Sequence, residues 1–221
     1  MTASIVGAPV FDPLSPAFIE DPYPFYAALR EQDPVHRSPM GYWVLTRHAD
    51  IVAAMSDNRL SNRPSRFAVT HERNRQRYVA ADVANNIIPF MDPPVHTAAR
   101  KLISKAFFAQ LRECPPQITD LCDRLLGPAV GNGAMEFVHD FARPFAVGVI
   151  GELLGIPPGD WPKLEAWSRW FFYLFSPIPS KEVLDSLNNA LTEFRVYLSE
   201  LLEARRAAPQ NDLLSRLLAA R

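Results

Sequence analysis

Residues 91–107, Met-Asp-Pro-Pro-Val-His-Thr-Ala-Ala-Arg-Lys-Leu-Ile-Ser-Lys-Ala-Phe, hold the densest chemistry in the chain. Asp92 suits a helix N-cap, and Pro93 suits the first helical position, where a missing N–H costs nothing. A helix over 93–107 puts His96 and Arg100 four residues apart on one face, near the positive end of the helix dipole. Two donors so placed form a clamp for carboxylates. The same pair also describes an ordinary solvated face, so its meaning depends on its surroundings.

Other reaction chemistries lack their residues. There is no Walker loop, no Gly-x-Ser-x-Gly and no His-Glu-x-x-His. Gly131-Asn-Gly133 has no third glycine and follows a helical pattern, so it reads as a turn. His36, His48, His71 and His139 are too scattered for a metal site. Cys114 and Cys122 make neither a Cys-x-x-Cys pair nor a disulfide framework, which points to a reducing, cytoplasmic setting and to thiols that pack.

The elements that position the clamp are punctuated by proline. The chain has 21 Pro against 9 Gly, paired or nearly paired at Pro22/Pro24, Pro93/Pro94, Pro115/Pro116 and Pro157/Pro158, and such pairs mark helix starts. Helices are expected over 24–32, 50–55, 93–107, 116–126, 144–154, 160–175, 181–207 and from Asp212 onward. Residues 35–38 and 42–46, joined by Pro39-Met40-Gly41, read as a hairpin. Residues 58–86 show no clean period and read as a long working loop with at most one helical turn. The fold class is mainly α with a small β-sheet.

Leu184, Leu187, Leu191, Phe194, Leu198 and Leu201 have a spacing that also fits a coiled-coil seam. With so few heptads, a helix laid across a core is the better reading. The helix from Asp212 meets no Gly, Asn or Pro before the terminus, so it reads as cut in mid-course, or as a terminal helix that frays.

The 23 Lys and Arg nearly balance 24 Asp and Glu, and a net charge of −1 gives no global attraction to nucleic acid. The one local exception is Arg63, Arg66, Arg73, Arg75 and Arg77, either a solvated loop or a dock for an acidic partner or RNA. Residues 1–10 contain no basic residue or apolar run to serve as a signal or anchor. The apolar stretch 145–156 is interrupted by Glu152, and 170–178 is too short to span a bilayer. No membrane partner is expected.

Asp-Pro-Pro-x-His-Thr-x-x-Arg, followed by an apolar turn and Lys-Ala-Phe, closely resembles the helix with which cytochromes P-450 grip the haem propionates. Residues 21–30 with Asp33-Pro-Val resemble that family's first helix and entry to its small sheet, and Tyr42-Trp-Val-Leu-Thr-Arg47 its next strand. Leu60-Ser-Asn-Arg-Pro64 resembles the segment after its second helix. Residues 141–156 with Pro157-Pro158 resemble a core helix and the turn toward the helices that roof the pocket. The likeness covers about residues 11–221, so the whole chain, 1–221, is read as the amino-terminal part of a single cytochrome P-450 domain. Val95 stands where many members carry an acidic residue.

The resemblance implies that His96 and Arg100 hold the propionates of a haem cofactor. It implies that the loop 66–90 walls a substrate pocket, with Ile87 and Ile88 as apolar contacts above the ring and Phe171, Phe172 and Phe175 near its closing helix. The complete enzyme would insert one oxygen atom from O2 into a small organic substrate, with electrons from a redox partner such as a ferredoxin. The chain is expected to stop before the oxygen-activating central helix, the Glu-x-x-Arg pair and the glycine-rich cysteine loop. No catalytic residue and no axial metal ligand are therefore expected in it, and alone it should be inactive. The competing expectation is a haem-free relative that binds a partner.

Overall fold

The computed structural model describes residues 10–66, 68–176 and 180–220. The expectation for residues 1–9 as free of a signal or anchor therefore lies outside the described residues, as do Phe67 of the pocket wall, Ile178 at the end of the second apolar stretch, and Arg221. The chain divides into two compact units, up to Ser61 and from Asn62 onward.

In the first unit, α1 (Pro16–Glu20) is capped by Ser15, whose hydroxyl accepts from the Phe18 amide. It leads into α2 (Tyr23–Gln32). The sequence reading missed α1 because five residues are too few to show a period. Strands β1 (Val35–Arg37) and β2 (Trp43–Leu45) pair antiparallel, His36 opposite Val44. Their turn passes through Gly41 at φ 89°, a conformation that favours glycine. Helix α3 (His48–Met55) follows. Phe18 and Leu29 are buried, with the rings of Phe11, Phe25 and Tyr26 around Phe18. His36 is buried too: its Nε2 accepts from the Phe11 amide, so Nδ1 carries the proton and donates to Asp33 at 2.8 Å.

The second unit is built of helices joined by turns and loops, with no strand among its described residues. It contains α4 (Val79–Ala84), α5 (Val95–Leu111), α6 (Pro115–Asn132), α7 (Arg143–Leu154), α8 (Trp161–Phe171), α9 (Lys181–Ala207) and α10 (Leu213–Ala219). Helix α9 is the spine. Leu184, Leu187, Ala190 and Leu191 are buried on it, and Ala80, Ala84 and Leu174 close the same core. The leucine stripe thus serves an intramolecular core, each fully buried leucine contributing about 1.5–3 kcal/mol.

Three sequence expectations are corrected. Residues 58–86 are more ordered than a loop with one helical turn: they hold a 3-10 turn at Glu72–Asn74 and then α4, whose Ala80 amide donates to Asn188 Oδ1 of α9 at 2.9 Å. Alanine's small side chain lets α4 lie close on α9 without leaving a strong hydrophobic period. Helix α6 runs past 126 and through Pro128 to Asn132, ending at Gly133 with φ 71°. Helix α5 starts at Val95, not Pro93, because a residue preceding proline is sterically disfavoured in the α region and Pro93 precedes Pro94.

Tight packing joins α6, α7 and α8. A methyl group on Gly148 would meet Leu121, and one on Gly151 would meet the Trp161 indole, whose Nε1 donates to Ile156 O at 3.0 Å. At the end of α7, Gly155 (φ 70°) sits against Asp212. The Arg205 guanidinium, buried with Asp212, bonds that carboxylate and donates to Gly155 O at 2.7 Å. Asp212 also caps α10 by accepting from the Ser215 amide at 2.7 Å.

Candidate functional site

Helix α5 carries the clamp in its first two turns. His96 is half-buried and Arg100 exposed, on one helical face. Neither side chain has a hydrogen-bond or ion-pair partner among the described residues. Ile103 and Phe107 continue the same stripe by helical spacing, Ile103 being 37% exposed and Phe107 half-buried. The face is therefore amphiphilic along its length, with two cationic or donor groups near the N-terminus and apolar carbon beyond. A flat hydrophobic ligand with carboxylates on one edge matches that order.

Both ends of α5 are fixed in place. Asp92 is not the N-cap; Pro94 occupies that position and makes no side-chain cap bond. The Asp92 carboxylate instead accepts from the Asn62 amide at 2.8 Å and pairs with Arg63 at 3.5 Å, tying the 62–63 strand of backbone to the helix start. At the other end Gln110 is buried, donates to Asn211 O at 3.1 Å and accepts from Arg216 Nε at 2.6 Å. Arg216 also pairs with Glu113 at 2.7 Å. The Glu113 carboxyl is held below its usual range by bonds from Asn211 and Arg216.

Five further residues were expected to line a pocket. Ile87, the residue before a 3-10 turn at Ile88–Phe90, packs against the α4/α9 core, as do Phe90 and Phe171. Phe171 meets Phe194 edge-on at 5.2 Å, and Phe175 lies 5.1 Å from Phe90. The structure therefore brings the segment 87–90 together with 171–175. Ile88 is half-buried, and Phe172 is 79% exposed; neither is among the residues packed on that core.

Sequence reasoning overlooked Phe90, which links the two segments, and Gln110, which sets the rotation of α5. The available signal for Gln110 was a polar side chain on the same stripe as buried Ala106, four residues earlier. Cys114 is buried beside Gln110 and Cys122 is half-buried on α6. Among the described residues no three His, Cys, Asp or Glu converge as a metal site, and no helix is long and apolar enough to cross a membrane.

No family model matches the sequence. Individual proteins do. The chain is 36% identical to the vitamin D(3) 25-hydroxylase of Pseudonocardia autotrophica over 99% of its own length and 53% of that protein's. It is 35% identical to the nocardicin C N-oxygenase of Nocardia uniformis over 90% of its length and 50% of the relative's. Among solved structures it resembles CalO2 with TM-score 0.77 and 33% identity, covering 96% of this chain and 53% of that one. It also resembles P450BioI, crystallised in complex with a hexadec-9Z-enoic acid ligated acyl carrier protein, with TM-score 0.80 and 29% identity, covering 93% and 53%. The chain spans about half the length of the curated relatives it matches. With relatives named as cytochromes P450 aligned over nearly all of its residues and the fold shared with solved members, the chain belongs to the cytochrome P450 family.

Proposed function

We propose that this chain is the haem-gripping portion of a monooxygenase, in which α5 anchors the cofactor through its propionates. The observation that carries this reading is the pair His96 and Arg100: two donors without partners among the described residues, at the start of a helix fixed at both ends and followed by apolar surface. His96 and Arg100 each offer donors to a carboxylate. Ile103 and Phe107 supply contact area below them. When bound in the complete enzyme, a thiolate-ligated haem supplies the oxygen-activating chemistry by which one atom of O2 enters a small organic substrate.

Ile87, Ile88, Phe171 and Phe175 would bind substrate by apolar contact, with Phe90 completing their cluster, while Phe172 would reach it only from the exposed side. The two compact units would belong to one haem domain in a cytoplasmic enzyme supplied with electrons by a redox partner such as a ferredoxin. Neither Cys114, beside a proline pair, nor Cys122, on α6, serves as the axial ligand, so the chain alone is inactive. The alternative is a haem-free helper of the same fold.

Titrating the purified chain with haemin, then recording its reduced, carbon-monoxide-bound spectrum, tests the proposal. Saturable, equimolar uptake without a thiolate-type band is expected. A thiolate-type band would make one of the two cysteines a ligand and overturn the assignment. No uptake at all would favour the helper.

A further inference from the structure

We infer that the segment 68–78 is a docking surface for an acidic protein. It holds three arginines and one acidic residue, Glu72, in a chain whose formal net charge is −1, so the positive charge is local. Arg73, Arg75 and Arg77 carry the argument. All three are exposed, and none has a carboxylate partner among the described residues, although Arg59, Arg169, Arg195 and Arg206 elsewhere on the surface do.

The arginines are displayed on a frame that is already ordered. Asn74 Nδ2 donates to Val69 O at 2.8 Å, and Asn85 Nδ2 donates to Thr70 O at 2.9 Å, tying the segment to itself and to the end of α4. Beneath it Ala80, Ala81 and Ala84 are fully buried, and the Ala80 amide is fixed to Asn188. Arg75 reaches back to the Asn85 carbonyl at 3.5 Å, and the Arg77 guanidinium lies 5.2 Å over the Tyr78 ring. Side chains so restrained lose less freedom on binding. Their forked donors match the carboxylates of Asp and Glu.

The chemistry favours protein over nucleic acid. Tyr78, the aromatic within the patch, already carries Arg77 on one face, so no open stacking platform accompanies the cations. A single short loop on a chain of balanced charge also offers little to a long polyanion. The surface does not depend on haem.

Fluorescence anisotropy tests it with three labelled probes: an alanine-based helical peptide with Glu at i and i+4, the same peptide with Gln in place of Glu, and a single-stranded RNA of matched charge. Binding of the Glu peptide alone is expected, weakening with salt, as contacts between exposed charges do beyond a Debye length of about 10 Å at 0.1 M. The triple variant Arg73→Gln/Arg75→Gln/Arg77→Gln should weaken it about tenfold, while a control removing three other exposed charges, Arg30→Gln/Arg112→Gln/Arg124→Gln, should not. A triple Arg→Lys variant at 73, 75 and 77 should retain salt-dependent binding, and thermal melts should coincide for all variants. Equal loss in both Gln triples, tighter binding of the RNA, or no binding of the Glu peptide would each overturn the inference.

Discussion

At the scale of single residues, the site reading depends on side chains that sequence spacing places well and on partners it does not reveal. His96 and Arg100 share a face whichever residue begins the helix, so their pairing was legible from a separation of four. The role of Asp92 was not. Its carboxylate contacts Asn62, thirty positions away, and no local pattern announces that bond. Tyr197 shows the same limit. Its hydroxyl donates to Asp160 at 3.0 Å, and burial together with that carboxylate pushes the phenol up to about 12. A raised phenol stabilises the fold below the unfolded value of about 10, and that contribution is lost as pH rises through the folded value. Ultraviolet titration of the phenols should show one step near the alkaline limit that Tyr197→Phe removes. A step that persists in the variant would place the shifted phenol elsewhere.

At the scale of elements, the strongest periodic signals were the most faithful. Helix α9 matches its expected bounds because the leucine stripe is long and Ser180 caps it, accepting from the Val183 amide. Helix α6 is longer than its expected bounds because Gly127-Pro128 resembles a stop, a proline costing a helix interior a hydrogen bond and a steric clash, yet the helix continues through Pro128 to Asn132. Close contacts between elements leave no trace in a period. Gly151 has room for hydrogen alone beside Trp161, so Gly151→Ala should lower unfolding free energy by about 1–3 kcal/mol, measured by urea denaturation. A neutral result would mean that the indole shifts freely.

The Arg205–Asp212 pair ties the end of α7 to α9 and α10. Removing one partner of such a buried pair costs about 3–5 kcal/mol, so Asp212→Ala should be among the most destabilising single changes. Burial opposes the Asp212 carboxylate, but bonds from Arg205 and Ser215 outweigh it and hold the carboxyl below its usual value. A depressed carboxyl contributes stability above its unfolded pKa, about 3.9, and loses it as pH falls through the folded value. Denaturation midpoints between pH 7 and pH 3 should therefore fall less for Asp212→Asn than for the unaltered chain; parallel profiles would contradict this.

At the scale of the whole molecule, the family, the mainly α class and the two-stranded sheet were legible because helix starts and the hairpin are punctuated by Pro and Gly. Leu102, Ile103 and Phe108 on α5, Val130 on α6 and Ile150 on α7 are exposed, and the chain spans about half the length of its relatives. Apolar surface of this kind drives association. Light scattering of the purified chain should show oligomers whose mass rises with concentration, and a stable monomer would count against an unpaired core face.

The central claim is that α5 recognises carboxylates on a flat apolar ligand. Its most direct test compares binding of haemin with that of haemin dimethyl ester, whose propionates are masked, to the unaltered chain and to His96→Ala/Arg100→Ala. The account predicts that the chain prefers free haemin by about 10–100-fold, the worth of a lost charge-assisted bond, and that the double variant loses this preference. Equal affinity for both ligands, or a preference that survives the double replacement, would contradict it.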